Sequence, residues 1–305
     1  PDRFRLHRAS AEAANLLLSR VYIYMQRWSD AEKAARRVVE SPRAKLTPLS
    51  ALQSGQPFLT RNNVEILFTQ GANHLAATDR NTSLTGAPAD YCVSRELYEL
   101  FSAFDARRST FFSTNSLSDS LGLANKYERT TEANHISDGF TLRTSEAYLN
   151  LAEALAMQGK DAEANAVLHQ LQRQRIDEEL TNHTGEDLVN EIRNERRREL
   201  CFEGHRWFDL RRYSVLEKYP LRKTVVHAFN AYTEQNSFLT THLFTLPSGD
   251  AAYTFSLPES VVSFDKVPMP NNIRPERVEV KKPRELPNVP DEEEENTPET
   301  PTPAP

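Results

Sequence analysis

Apolar residues recur at helical spacing in four stretches of the chain. From Ala11 to Met25, the residues Ala14, Leu17, Leu18, Val21 and Met25 fall at i, i+3, i+4, i+7 and i+11, which predicts a helix with one continuous apolar stripe. After Gln26-Arg27-Trp28-Ser29, a second helix carries Ala31, Ala34, Ala35 and Val38 on one face and ends before Ser41-Pro42. The arrangement then recurs. Tyr148, Leu151, Ala152 and Leu155 form one stripe, Gln158-Gly159-Lys160 a turn, and Ala164, Val167, Leu168 and Leu171 the next stripe. The two copies keep register, Met25 matching Met157 and Ala31/Ala35 matching Ala162/Ala166.

Each copy, 8–40 and 142–175, therefore reads as two antiparallel helices joined by a short turn. Small alanines early in the second helix let the pair approach closely, the construction of a tetratricopeptide-type hairpin that stacks on neighbours. The copies stand about 130 residues apart, so the segment between them must loop out and return. That segment, 41–140, is polar and turn-rich, with a β-prone run at Val64-Glu65-Ile66-Leu67-Phe68, a predicted helix at Arg95–Phe104 and scattered aromatic rings. Loop-rich segments mounted on a rigid frame are where binding function concentrates. Near the C-terminus, Thr241–Leu246 and Ala251–Leu257 flank Pro247-Ser248-Gly249-Asp250 and predict a hairpin. The expected fold class is mostly α: tetratricopeptide-like helical hairpins forming an α–α superhelical scaffold, with an irregular loop-rich insert and a minor β-hairpin.

Composition narrows the function classes. A chain of 305 residues can bury a proper core without staples, and its two cysteines, Cys92 and Cys201, exclude a disulfide scaffold and any CxxC site. No apolar run reaches the roughly 18 residues that would span a bilayer. Residues 281–305 carry seven acids against three bases and seven of the 18 prolines. A Pro/Glu-rich tail over 268–305 is therefore expected to extend rather than pack, leaving one domain over 1–267. The formal charge is −6 overall, of which the last 25 residues hold −4. The nearly neutral body argues against nucleic acid as a partner. The chain opens at Pro1-Asp2-Arg3 with no Met, basic n-region, apolar h-region or lipidation cysteine, as expected for a processed chain or a piece of a longer one. No Gly-x-Ser-x-Gly elbow, Gly-x-x-x-x-Gly-Lys-Ser/Thr loop or Gly-x-Gly-x-x-Gly is present, and the eight histidines form no HExxH pair. A glycosidase needs only two carboxylates at the right separation, which no linear spacing records. The chain reads as a binding protein rather than an enzyme, with no cofactor or metal.

The most charged stretch is 184–213, predicted as one helix opened by Thr184-Gly185-Glu186-Asp187. Residues 186–212 contain seven acids and seven arginines, so an anion-gripping cluster would have no net field. Glu195, Glu199 and Glu203 share one face, as a carboxylate metal site would need, but the Glu-x-x-His pattern of di-iron bundles is missing. The remaining reading is structural: acids and arginines in ion-pair networks, with Trp207, Phe208 and Leu210 packed into the body. Gly204 inside such a helix costs about 1 kcal/mol relative to Ala and implies close backbone approach by another element.

The run Arg143-Thr144-Ser145-Glu146-Ala147-Tyr148-Leu149-Asn150-Leu151-Ala152-Glu153-Ala154, followed by Glu195-Arg196, Glu199-Leu200 and Phe202-Glu203-Gly204-His205-Arg206-Trp207-Phe208-Asp209-Leu210-Arg211-Arg212, resembles the SusD/RagB family of nutrient-uptake lipoproteins of the Bacteroidetes outer membrane. Ala13–Tyr22 with Trp28, Glu65–Phe68, Lys126-Tyr127 and Tyr253–Pro258 are similar to its flanking motifs, so the resemblance covers about 8–262. It lacks the upstream part of the family fold, and its acidic, proline-rich tail departs from the family pattern. The resemblance implies a C-terminal portion of a surface glycan- or peptide-binding protein. Such a protein is lipid-anchored at the outer membrane through an N-terminal cysteine absent from this chain, and caps a SusC-like TonB-dependent transporter as a hinged lid.

Stacking a sugar on an aromatic ring buries roughly 80 Å² of apolar surface, worth about 2 kcal/mol. Two rings give only about millimolar affinity, so hydrogen bonds and multivalency must add the rest. The candidate ligand residues are Tyr91, Phe111, Phe112 and Tyr127, with Arg80, Asn81 and Asn115 as polar partners. The competing role of each ring is the insert's own core, and Trp28 and Trp207 are expected to pack. Two further functions stay open: a RagB-like peptide-binding lid, and a tetratricopeptide-type protein-interaction scaffold with no small-molecule ligand.

Overall fold

Ser10 opens the first helix, α1 (Ala11–Tyr24): its Oγ accepts the Ala13 N–H at 3.1 Å and satisfies one donor of the first turn. Gln26 takes a left-handed φ of 56° and reverses the chain. Helix α2 (Trp28–Val39) follows, with Asp30 in its first turn and Arg36 and Arg37 in its last, each sign matched to the helix dipole. The insert contains β1 (Ile66–Gln70), a single-turn helix α3 (Arg95–Tyr98) capped by Ser94, and a second short helix α4 (Arg107–Thr110). Next come β2 (Phe112–Ser113) and β3 (Leu123–Ala124), paired antiparallel. β4 (Phe140–Arg143) returns antiparallel to β1 with a bulge between Ile66 and Phe68, and runs straight into α5 (Thr144–Met157). Gly159, at φ 75°, turns the chain into α6 (Asp161–Gln172), and α7 (Gly185–Glu199) and α8 (His205–Ser214) complete the helical body. The computed structural model describes residues 6–60, 63–70, 93–113, 123–127, 140–235, 237–264, 269–274 and 280–282.

The two hairpins stack on each other. α1 packs on α2, α2 on α5, and α5 on α6 and α7, which buries every residue of α5 except Tyr148. Ala31, Ala34 and Ala35 keep the seam of α2 thin. Gln158 Nε2 and Lys160 Nζ, in the turn of the second hairpin, donate to Glu32 on α2 at 2.9 and 2.7 Å. The rotation of α1 differs from the expectation. Its buried face is Ala13, Leu16, Ser19 and Ile23, whereas the predicted stripe of Ala14, Leu17, Leu18, Val21 and Met25 is exposed, Met25 by 56%. Polar contacts set this rotation. Asn150 Nδ2 donates to Ser19 Oγ at 2.9 Å, and Arg20 donates twice to Glu146 at 2.6 Å.

Three more expectations change. The segment 184–213 is two helices, broken at Leu200–Gly204 where Phe202 has φ 65° and Gly204 φ 78°. Gly204 serves that left-handed backbone; a Cβ there would meet nothing within 4 Å, so no close approach requires it. Leu210 is buried as expected and Trp207 half-buried, but Phe208 is 49% exposed. The helix expected to reach Phe104 stops at Tyr98, because Leu100 and Phe101 close tight turns onto Leu97 and Tyr98 at 3.2 Å.

The chain divides into two compact units, Pro1–Lys223 and Thr224–Pro305. The second is built on β5 (Val225–Tyr232) and β6 (Phe238–Leu246), an antiparallel hairpin running from Val225↔Leu246 to Tyr232↔Phe238. The predicted partner strand, Ala251–Leu257, instead begins with a 3-10 turn at Ala251–Tyr253, so the hairpin forms one strand earlier than expected. Helix α9 (Glu259–Phe264) follows, and β7 (Val280–Lys282), from within the expected tail, pairs with β6. Among the described residues no helix is long and apolar enough to cross a membrane.

Candidate functional site

The carboxylates of Glu195, Glu199 and Glu203 are buried and meet cations from distant parts of the first unit. Arg107 Nη1 donates to Glu195 at 2.6 Å and to Glu199 at 2.8 Å. Arg175 Nε donates to Glu199 at 2.9 Å, and Arg143 Nη1 donates to both Glu199 and Glu65. Arg143 and Lys126 converge on Glu203, and Arg198 donates to Glu195 at 2.7 Å. With Asp105, the centre holds five acids (Glu65, Asp105, Glu195, Glu199, Glu203) and five bases (Arg107, Lys126, Arg143, Arg175, Arg198). That balance is what allows ten charged groups to be dry, since an unpaired buried charge is costly. Burial alone would raise the Glu195 carboxyl, but the Arg107 and Arg198 guanidiniums outweigh it and hold it down to about 2. Glu203 is likewise raised by burial and brought down to about 2 by Arg143 and Lys126. A second cluster, in which Arg196 and Arg212 flank Asp209 and Arg212 reaches Glu153, ties α5, α7 and α8 together. Every carboxylate on the predicted face is thus engaged by cations, and among the described residues no His/Cys/Asp/Glu group is arranged to hold a metal. The ion-pair reading of the segment is the one the structure bears out.

The centre also positions a surface cleft. Asp105 takes three hydrogen bonds from Arg107, including its backbone N–H at 3.0 Å. Phe104 O accepts from Asp177 N at 3.1 Å, and Ala106 N donates to Arg175 O at 2.9 Å. The turn carrying Phe104 is therefore stitched to the chain after α6 on both sides, and Phe104 itself is 63% exposed. Beside it, Arg108 lies 4.6 Å over the Tyr98 ring. Neighbours on α4, Arg107 faces the ionic centre and Arg108 the surface. Both Phe104 and Arg108 line a cleft of about 600 Å³ with Tyr98, Ser54, Gly55, Ser109 and Ser113, wider than neighbouring cavities of 170 to 240 Å³. Gly55 N donates to Ser109 O at 2.9 Å and fixes the far rim. An exposed ring, a stacked guanidinium and hydroxyls around one opening can hold a polar ligand that has an apolar face.

Of the candidate ligand residues, Phe111, Phe112 and Tyr127 come together, but inside the insert. They are 0, 5 and 6% exposed and form one cluster with Phe58, Phe101 and Cys201. Phe58 and Phe111 sit 5.2 Å apart, Phe101 meets Phe112 edge-on at 5.0 Å, and Tyr127 Oη donates to Phe202 O at 2.9 Å. Phe111 and Tyr127 have no free face to offer a ligand and serve the core, while Phe112, 5% exposed in the same cluster, also reaches the lining of the cleft. Tyr91, Arg80, Asn81 and Asn115 lie outside the described residues. The site residues sequence reasoning passed over are Phe104 and Arg108. Their signal was the run Asp105-Ala106-Arg107-Arg108, in which adjacent arginines on one helical turn must face different ways.

The SusD family model matches residues 102–259, more than half of the chain. Among solved structures, a SusD-like carbohydrate binding protein from Bacteroides vulgatus is 20% identical with a TM-score of 0.59, the match covering 84% of this chain and 58% of that one. A SusD superfamily protein from Bacteroides thetaiotaomicron is 25% identical with a TM-score of 0.53, over 66% of this chain and 49% of that one. Surface glycan-binding protein A from Bacteroides uniformis is 20% identical with a TM-score of 0.52, over 71% and 52%. The chain thus spans about half the length of these structures. No curated protein matches it. The family model lies over both the turn that carries Phe104 and the helices that hold the ionic centre, and by that match the chain belongs to the SusD family.

Proposed function

We propose that this chain is the part of an outer-membrane surface protein that captures oligosaccharides and delivers them to a SusC-like TonB-dependent transporter, the whole being held to the membrane by a lipidated N-terminal cysteine outside this chain. The observation that supports the reading is a glycan-suited cleft with Phe104 exposed beside the Tyr98–Arg108 pair, of which Phe104, Arg108, Ser109 and Ser113 fall within the region matched by the SusD family model. The stacked helical hairpins supply rigidity, and the cleft supplies a platform that weak, multivalent polymer capture can use. Calorimetry and a glycan array on the intact protein test it. Saccharide binding weakened by Phe104→Ala is the expected result. Peptide binding in place of saccharide would turn the reading to a RagB-like peptide lid. Absence of either ligand, with tight transporter binding, would leave an interaction scaffold.

A further inference from the structure

The charges around the cleft narrow the sugar class. Among the described residues Asp105 is the acid lining it and Arg108 the cation, and Asp105 is 3% exposed with both carboxylate oxygens taken by Arg107. Arg108 is half-buried and rests on the Tyr98 ring, and among the described residues no carboxylate lies within ion-pair distance of it. The Tyr98 ring holds the guanidinium by a cation–π contact, and the N–H edge of a guanidinium matches a carboxylate in a two-point fork. The other polar lining groups are the hydroxyls of Ser54, Ser109 and Ser113, which serve sugar hydroxyls without regard to charge.

We infer that the cleft takes uronate-bearing oligosaccharides, with the pyranose face on Phe104 and the C6 carboxylate on Arg108. The inference rests on the cleft being the glycan site. A charge-assisted pair at a half-exposed position is worth about a tenfold gain in affinity, reduced as salt is raised because solvent ions screen such a pair.

The test is calorimetry on the intact protein with oligogalacturonate, oligoglucuronate and oligomannuronate, each beside its carboxyl-reduced counterpart of equal length. At least one acidic form is expected to bind about tenfold tighter than its reduced counterpart. Arg108→Gln should bring that ratio close to one, and Phe104→Ala should weaken both forms. Equal or better binding of the reduced forms, or a ratio that survives Arg108→Gln, overturns the inference while the glycan-capture reading stands. A wild-type protein that binds no saccharide at all overturns both.

Discussion

Replacing Glu199 by Gln removes one charge from the middle of the ionic centre while keeping the side chain's shape. The carboxylate accepts from three arginines: Arg107 at 2.8 Å, Arg175 at 2.9 and 3.1 Å, and Arg143. An amide offers a single acceptor oxygen and turns an N–H₂ toward groups that can only donate. The centre also passes from five acids and five bases to an excess of one positive charge at positions closed to water. Breaking a buried pair in this way costs about 3–5 kcal/mol, which for a unit of this size lowers the melting temperature by roughly 10 °C. Urea unfolding followed by tryptophan fluorescence reads the first unit directly, since Trp28 and Trp207 both lie in it. Adding Arg175→Met to Glu199→Gln restores the charge balance, so the double variant is expected to lose clearly less than the sum of the two single losses. A Glu199→Gln loss below about 1 kcal/mol, or strict additivity of the pair, would refute the view of these groups as one coupled, dry network.

The remaining predictions concern pH, helix rotation and the two classes of ring. Glu195, Glu203 and Asp209 are each brought down to about 2 by neighbouring cations against the raising effect of burial. Their contribution is therefore complete above the ordinary carboxyl range and lost as pH falls toward 2, at about 2–3 kcal/mol per group; the urea midpoint should decline gently below about pH 7, because burial lowers the pKa of His205 and the folded state resists its protonation, then drop steeply below about 4, and a midpoint that holds level from about pH 5 to 3 contradicts this. On α1, Leu16→Ala should cost about 2–5 kcal/mol and Leu17→Glu under about 0.5 kcal/mol; the reverse order in denaturation would mean the helix is rotated toward its apolar stripe. Phe111→Ala should destabilise by about 3–5 kcal/mol. Phe104→Ala should leave stability nearly unchanged and weaken glycan binding by up to about 30-fold, the equivalent of one stacked ring.

The helical frame was legible because its signals are local. Ala31, Ala34, Ala35 and Val38 mark the buried face of α2 by spacing alone, and Ala164, Val167, Leu168 and Leu171 mark that of α6, whereas α5 is buried on every side and Tyr148 of its predicted stripe is the one residue left partly exposed. α1 was misread for a definite reason: its rotation is set by Ser19 and Arg20 bonding to Asn150 and Glu146, more than 120 residues away, and hydropathy does not record such polar pairing. The same limit applies to the ionic centre. Glu195, Glu199 and Glu203 announced a common face, but Glu65, Arg107, Lys126, Arg143 and Arg175 reach it only through the fold. For the rings, composition could not separate Phe111 from Phe104. What separates them is the short turn after α3, which seals the first in the insert's core and leaves the second outside.

The long reach of the ionic centre also orders events during synthesis. Glu65 meets Arg175 across 110 residues and Arg107 meets Glu199 across 92. While the ribosome has released only the chain before Glu195, Arg107, Lys126, Arg143 and Arg175 have just Glu65 and Asp105 among their eventual partners, so they lack the carboxylates that let four cations leave water. Glu195, Glu199 and Glu203 arrive together with Arg198 and complete the set, so closure of such long loops makes consolidation late and abrupt. A nascent chain stalled ahead of Glu195 would remain open to chaperones and proteases, and one extended past Glu203 would close.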